Sequence, residues 1–178
     1  LEAANPYDSW TAGCYAIYCG MFHLLYNRAR AACGLSAKLV GTGFCVHREV
    51  LEKTGGWNTR TIAEDAEYAA ILAQMGERVY YQPAAVSYDE QPLTFLQSWR
   101  QRRRWSTGSV QSMQRHLPGL LHAALRQKSW RCSDMALTFM QPAVQFWGLV
   151  VGAIALGLAL VRALALSNPT LPATALLG

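Results

Sequence analysis

Acidic residues are missing where the chain is most basic. Between Glu90 and Asp134 there is no aspartate or glutamate, while Arg100, Arg102, Arg103, Arg104, Arg115, Arg126, Lys128 and Arg131 all fall inside that interval. A segment of one sign suits anionic lipid headgroups, a phosphate-bearing substrate or nucleic acid, and the apolar run that follows it favours the first two. Paired cysteines are also lacking. Cys14, Cys19, Cys33, Cys45 and Cys132 are odd in number and show no CxxC spacing and no histidine at zinc-ligand distance. They read as reduced, mostly buried thiols of a cytoplasmic face. His23, His47, His116 and His122 share no spacing, so no metal site is expected among them. No basic stretch, apolar core and small-residue cleavage site open the chain, so no signal peptide is expected within it. An initiator methionine is absent too, and Leu1-Glu2-Ala3-Ala4-Asn5-Pro6 reads as the interior of a longer polypeptide. There is no internal repeat and no low-complexity tract.

What is present is a succession of short apolar and glycine-punctuated segments. Residues 10–32 are mostly apolar, interrupted by His23 and Asn27 and closed by Arg28 and Arg30, which predicts a buried or interfacial helix rather than a membrane span. Gly41-Thr42-Gly43 has the small residues of a close backbone approach and leads into a short strand pattern. Residues 48–53 form one or two helical turns stopped by Gly55-Gly56. Thr61 and Glu64 have the spacing of a capping box, and a helix is expected from about 64 to 75, closing on Gly76. Residues 78–81 read as a strand ended by Pro83. Helix and strand alternating in this way indicate an α/β layer.

Pro92 is suited to a first helical turn, and the helix after it should run through Phe95, Leu96 and Trp99 to a break at Leu117-Pro118-Gly119. Leu120 to Leu125 with Arg126, Lys128 and Arg131 has the composition of a helix in the membrane interface. Residues 135–161 are uncharged, 27 positions between Asp134 and Arg162. At about 1.5 Å per residue this exceeds a hydrocarbon thickness of roughly 30 Å. The basic flank on the N-terminal side puts the preceding part on the cytoplasmic face and the following residues outside, with Ser167 to Pro172 as an exposed turn.

Two motifs carry chemistry. Glu64-Asp65 lies at a helix start, where the macrodipole alone favours carboxylates, but an inverting sugar transfer also needs a carboxylate to accept a hydroxyl proton. Gln101-Arg102-Arg103-Arg104-Trp105 places Gln101, Arg104 and Trp105 on one helical face, offering an amide, a guanidinium for a departing pyrophosphate and an aromatic plane for a sugar ring. Three consecutive arginines are otherwise an ordinary solvated or lipid-facing run, and Arg102 and Arg103 are expected to face headgroups or acidic neighbours.

In order and type these motifs resemble the processive, membrane-embedded family 2 glycosyltransferases, the cellulose, chitin, hyaluronan and poly-N-acetylglucosamine synthase group, which carry Gln-x-x-Arg-Trp downstream of Thr-Glu-Asp. The match covers roughly residues 36–165, and Ala63 stands where the family has threonine. The resemblance implies Asp65 as general base. It puts Glu64, Gln101, Arg104 and Trp105 with Gly41, Thr42 and Gly43 on the acceptor and pyrophosphate side, and Gly55-Gly56-Trp57 just before the base. It implies a GT-A, α/β fold of which this chain holds the latter part. Residues 1–92 would be the acceptor half of the catalytic domain, 93–133 interfacial helices, 134–166 a transmembrane helix and 167–178 an external turn or the start of a further membrane segment. The implied reaction is inverting transfer from a UDP-sugar to a growing polysaccharide at the cytoplasmic face of the inner or plasma membrane, in a multi-pass protein. One alternative is a non-processive enzyme of the same family with a lipid acceptor. Another is a non-enzymatic basic module tethered to the membrane. Nucleic acid is not an expected partner.

The family's Asp-x-Asp, which holds Mg or Mn on the nucleotide diphosphate, has no counterpart anywhere in the chain. The donor-binding half is therefore expected upstream, and the chain by itself is expected to be inactive and to hold no metal.

Overall fold

The computed structural model describes residues 1–167, so the expected turn and further membrane segment fall, apart from Ser167, outside the described residues. By internal packing the chain divides into Leu1–Met140 and Gln141–Gly178.

The first unit is built on helices. Ser9 caps α1 (Trp10–Met21) by accepting the Ala12 N–H at 3.1 Å. A π-helical turn (Phe22–Asn27) and α2 (Arg28–Ala32) continue it, so residues 10–32 are helical throughout, as their composition suggests. Thr11, Ala12, Tyr15 and Cys19 are buried, whereas Trp10, Ile17, Met21, Leu24 and Leu25 face outward. The short α3 (Arg48–Lys53) ends before Gly55 and Gly56. α4 (Glu64–Gln74) is the centre of the core: Tyr68, Ala69, Ala70, Leu72 and Ala73 are all buried, an apolar run too wide for a surface helix. They pack with Leu39, with Leu120 and Ala123 of α5 (Phe95–Gln127), and with Cys132, Met135, Ala136 and Phe139 from the first turns of α6 (Trp130–Ser167). Asp134 enters this region only because it is paired with Arg30, whose Nε also donates to the Ser36 carbonyl at 2.7 Å.

The α/β expectation is met only in outline. Among the described residues there is one sheet, a parallel pair of β1 (Glu2–Ala3) and β2 (Tyr88–Asp89), with Glu2 opposite Tyr88. The segment at 78–81 is not a strand. Val79 accepts from the Ala37 N–H at 3.0 Å, and its own N–H goes to the Ser36 hydroxyl at 3.3 Å, so a side chain occupies the place where the next rung would form.

Several local expectations are corrected. Thr61 does not cap α4. The N-cap is Ala63, the Thr61 hydroxyl donates to the Ala63 carbonyl at 3.2 Å, and the carboxylate that reaches back to the loop amides is Glu67, one turn later than a capping box would have it. Pro92 lies outside α5, which Thr94 and Gln97 cap reciprocally: the Gln97 N–H donates to the Thr94 hydroxyl at 3.3 Å and the Thr94 N–H to the Gln97 side chain at 3.1 Å. Pro118 does not break the helix. α5 runs on through it for 33 residues and turns only at Lys128, in a left-handed conformation at φ 51°. Burial of Leu120 and Ala123 beyond the proline outweighs the lost backbone bond, typically about 3 kcal/mol. The cysteines are free, but only Cys19 and Cys132 are buried; Cys14, Cys33 and Cys45 are exposed.

The described part of the second unit is the remainder of α6, with its assigned side chains mostly exposed. Trp130–Leu164 is long and apolar enough to cross a membrane. Because Cys132, Met135, Ala136 and Phe139 belong to the protein core, the part of this helix outside that core is shorter than the uncharged stretch read from the sequence. Residues 141–164 still measure about 36 Å as a helix.

Candidate active site

α5 presents one continuous stripe. Gln101, Arg104 and Trp105 are followed at helical spacing by Gly108, by Gln111 and Ser112, and by Arg115 and His116. The C-terminal part of that stripe grips the loop that leads into Glu64-Asp65. Gly108 is the point of closest approach: a Cβ there would lie 2.7 Å from the Ala63 Cβ and 2.8 Å from the Ala63 nitrogen. The Gln111 side chain accepts the Ile62 N–H at 3.3 Å, and the Thr61 and Ser112 hydroxyls are 3.0 Å apart. Asp65 thus lies two residues from the crossing on the loop side, and Trp105 three residues from it along α5.

Asp65 sits in the first turn of α4, with its carboxylate accepting the Ala66 N–H at 2.7 Å. Burial pushes its pKa above the usual carboxylate range; the Ala66 bond opposes this, the Glu64 charge adds to it and the Lys38 ammonium works against it. Lys38 stands over the Phe22 ring at 5.9 Å, with its own ionisation depressed by burial and partly restored by Asp65. A raised but solvent-reachable aspartate is suited to taking up a proton. Glu64 beside it is exposed.

Gln101 and Arg104 line an open cleft of about 720 Å³ together with Asn5, Asp8, Glu90 and Gln91. The Gln101 Oε1 is buried and has no hydrogen-bond partner among the described residues. Asp65 is not among the residues lining this cleft. Trp105 turns toward Tyr15, ring edge to ring face at 6.3 Å, while the Tyr15 hydroxyl bonds Ser98 at 3.2 Å. Arg102 lies over the rings of Tyr15 and Tyr18, at 5.0 and 5.5 Å, and so joins α1 to α5. The structure therefore joins Gln101 to Arg104 in one cleft, Trp105 to α1, and the loop before Asp65 to the same helix further along.

The glycine loop has a steric reason for its composition. Gly43 has φ 69° and an added Cβ would fall 2.3 Å from the Ser87 hydroxyl, so only glycine fits. Beside it, the Thr42 hydroxyl donates to Asp89 at 2.6 Å, and Gly41 is exposed. Phe44 stacks on Trp57 at 5.5 Å and Trp57 on Tyr68 at 4.3 Å, tying this loop and the Gly55-Gly56-Trp57 segment to α4.

Four residues of this region escape a reading of the sequence: Lys38, Glu67, His116 and Tyr15. Glu67 is 2 % exposed. Burial alone would raise its pKa, yet the N–H groups of Arg60 and Thr61 and the His116 side chain hold the carboxyl below the usual range. The available signal was a third carboxylate one position beyond the Glu-Asp pair and its following alanine; nothing in the sequence says that it points inward.

Among the described residues no three of His, Cys, Asp and Glu come together as a metal-ligand set. The residues present do not fit the divalent metal implied by the family resemblance.

Comparison with known proteins bears on this geometry. A Bacillus subtilis protein named "Probable glycosyltransferase YdaM" is 37 % identical over 73 residues, 41 % of this chain and 17 % of that protein. The Beta-monoglucosyldiacylglycerol synthase of Trichormus variabilis is 31 % identical over 104 residues, 57 % of this chain and 21 % of its own length. A rice protein (Oryza sativa subsp. japonica) named "Probable glucomannan 4-beta-mannosyltransferase 6" is 29 % identical over 99 residues, 56 % of this chain and 17 % of that protein. The matches thus span about a fifth of each relative's length. No solved structure gives a significant match. A family model described as glycosyl transferase family group 2 matches residues 3–177, and with almost its whole length accounted for the chain belongs to that family of glycosyltransferases.

Proposed function

We propose that the complete protein transfers a sugar, with inversion, from a UDP-sugar to a growing polysaccharide at the cytoplasmic face of a membrane, and that this chain supplies the base and the acceptor side. The observation that carries the reading is the single stripe of α5, which bears Gln101, Arg104 and Trp105 and then holds the loop that delivers Asp65. In the proposed step an acceptor hydroxyl oxygen attacks the anomeric carbon and gives its proton to the Asp65 carboxylate. The bond from that carbon to the diphosphate oxygen breaks, and UDP leaves with the electron pair. Arg104 faces the negative charge that grows on the leaving group, and the Gln101 amide bonds sugar hydroxyls. Glu64, Trp105 and the loop of Gly41, Thr42 and Gly43 border the acceptor. The donor and its Mg or Mn are assigned to parts of the protein outside this chain. α6 supplies a membrane helix, with the basic residues 100–131 on the cytoplasmic side.

A second reading has specific support: relatives at 31 % identity are named for making monoglucosyldiacylglycerol, which is a lipid product. The same base and leaving group serve either acceptor, so product analysis separates them. Membranes containing the full-length protein, given radiolabelled UDP-glucose and UDP-N-acetylglucosamine in turn, should yield label that stays at the origin after lipid extraction. Label moving with the lipid fraction would favour the single transfer. In either case Asp65→Asn should lower the rate by about 10²–10⁴-fold, the usual contribution of a general base, while leaving binding of the UDP-sugar intact. An equal loss of donor binding would contradict the role.

A further inference from the structure

We infer that Glu67 is a positioning residue for the transfer: it fixes the loop that carries the general base against the substrate-bearing face of α5. The inference rests on the reading of Asp65 given above.

A fully buried carboxylate in the middle of a small core is costly unless every lone pair is used. Glu67 uses them on two different segments. Its Oε2 accepts the N–H groups of Arg60 and Thr61 at 2.7 and 2.6 Å, and its Oε1 accepts from His116 Nε2 at 3.1 Å and lies 3.4 Å from Arg115 Nε. One carboxylate therefore joins the loop before Asp65 to α5. The Ile62 N–H, the next donor along the loop, is taken by Gln111 of the same stripe. Three consecutive amides, those of Arg60, Thr61 and Ile62, are thus fixed by side chains and not by a helix or a sheet ladder.

A purely structural staple would serve equally well anywhere along α4 and α5. This one acts on the three residues that precede Ala63-Glu64-Asp65, and its partners on α5 continue the row of Gln101, Arg104 and Trp105. Releasing the loop would let the base drift relative to the acceptor hydroxyl, and a displacement of about 1 Å can cost on the order of 10²-fold in rate. The titratable and charged groups facing Glu67 are His116 and Arg115 from α5; from the loop it meets the amides of Arg60 and Thr61 and the Thr61 side chain.

The test uses the full-length protein in membranes, with kcat, the KM for the sugar donor and thermal unfolding measured for each variant. Glu67→Ala should lower kcat about 100-fold with donor KM within twofold. Glu67→Gln, which keeps an oxygen for the loop amides, should recover most of that loss. Gln111→Ala changes an exposed side chain and removes only the Ile62 acceptor; it should lower kcat severalfold without moving the unfolding temperature, which keeps the test open if Glu67→Ala does not fold. Unchanged kcat per folded enzyme in Gln111→Ala and Glu67→Gln, with any loss confined to stability, would overturn the positioning role. Asp65→Asn in the same preparation separates the two levels. If that variant is inactive while the Gln111 and Glu67 variants run at full rate, the base reading stands and this inference falls; if it is active, the base reading falls and takes this one with it.

Discussion

Asp65 and Glu67 are two residues apart at the start of one helix, yet their surroundings move their pKa values in opposite directions. Asp65 is pushed up, first by burial; Glu67 is held down because donors outnumber what burial costs it. For catalysis the sign is direct: the base acts when deprotonated, so the acid limb of the rate against pH should lie above that of an ordinary aspartate. Lys38 lowers the Asp65 value, and Lys38→Met should shift the limb further upward. A pH profile of kcat measures both, and an unmoved limb in Lys38→Met would contradict the coupling. For stability the sign reverses the roles. A carboxyl whose folded value is raised favours the fold while protonated, and that contribution is lost as pH rises through the folded value. Asp65→Asn, which copies the neutral form, should therefore unfold at a higher temperature than the parent at neutral pH, with the gap closing in acid. Glu67 has the depressed value, so its contribution is present at neutral pH and lost as pH falls through its folded value. Glu64-Asp65 and the row of Gln101, Arg104 and Trp105 were legible because spacing within one segment defines them. Glu67 and His116 were not, because their meaning lies in a bond across 49 positions.

At the scale of elements, α4 and α5 meet through a glycine. The Gly108 contact with Ala63 leaves no room for a methyl group, so even Gly108→Ala must part the loop from the helix. Overpacking of this kind typically costs about 1–3 kcal/mol, and here it should lower kcat as well because the displaced loop leads to Asp65. Unfolding temperature and kcat measured together on Gly108→Ala test this; a variant with parental values of both would mean that the contact is slack. The sequence indicated where α3, α4 and α5 lie because apolar periodicity and glycine stops are local signals. It misplaced the end of α5 because Pro118 acts locally while Leu120 and Ala123 act through burial against α4. The segment at 78–81 has a strand's composition, but pairing is decided by the neighbour, and Ser36 offers it a hydroxyl in place of a second carbonyl-amide rung.

For the whole molecule, charge decides what the chain can do unaided. The cleft that holds Gln101 and Arg104 also contains Arg100, Asp8 and Glu90, so two guanidinium groups are offset by two carboxylates. A diphosphate entering it gains little net attraction, and no cluster of metal ligands among the described residues compensates. Positioning of donor and acceptor can account for about 7–11 kcal/mol of barrier reduction, and a cleft that does not retain the donor forgoes most of it. The purified chain, kept soluble in detergent because of α6, should therefore show no sugar transfer and no measurable affinity for UDP. Any residual attraction to Arg104 should behave as a screened surface charge and fade between low and physiological salt. Calorimetry with UDP and Mn at low salt decides the matter. Heat that saturates in the micromolar range and requires the metal would mean that this chain carries a nucleotide site of its own, and that the division of labour proposed for the complete enzyme is drawn in the wrong place.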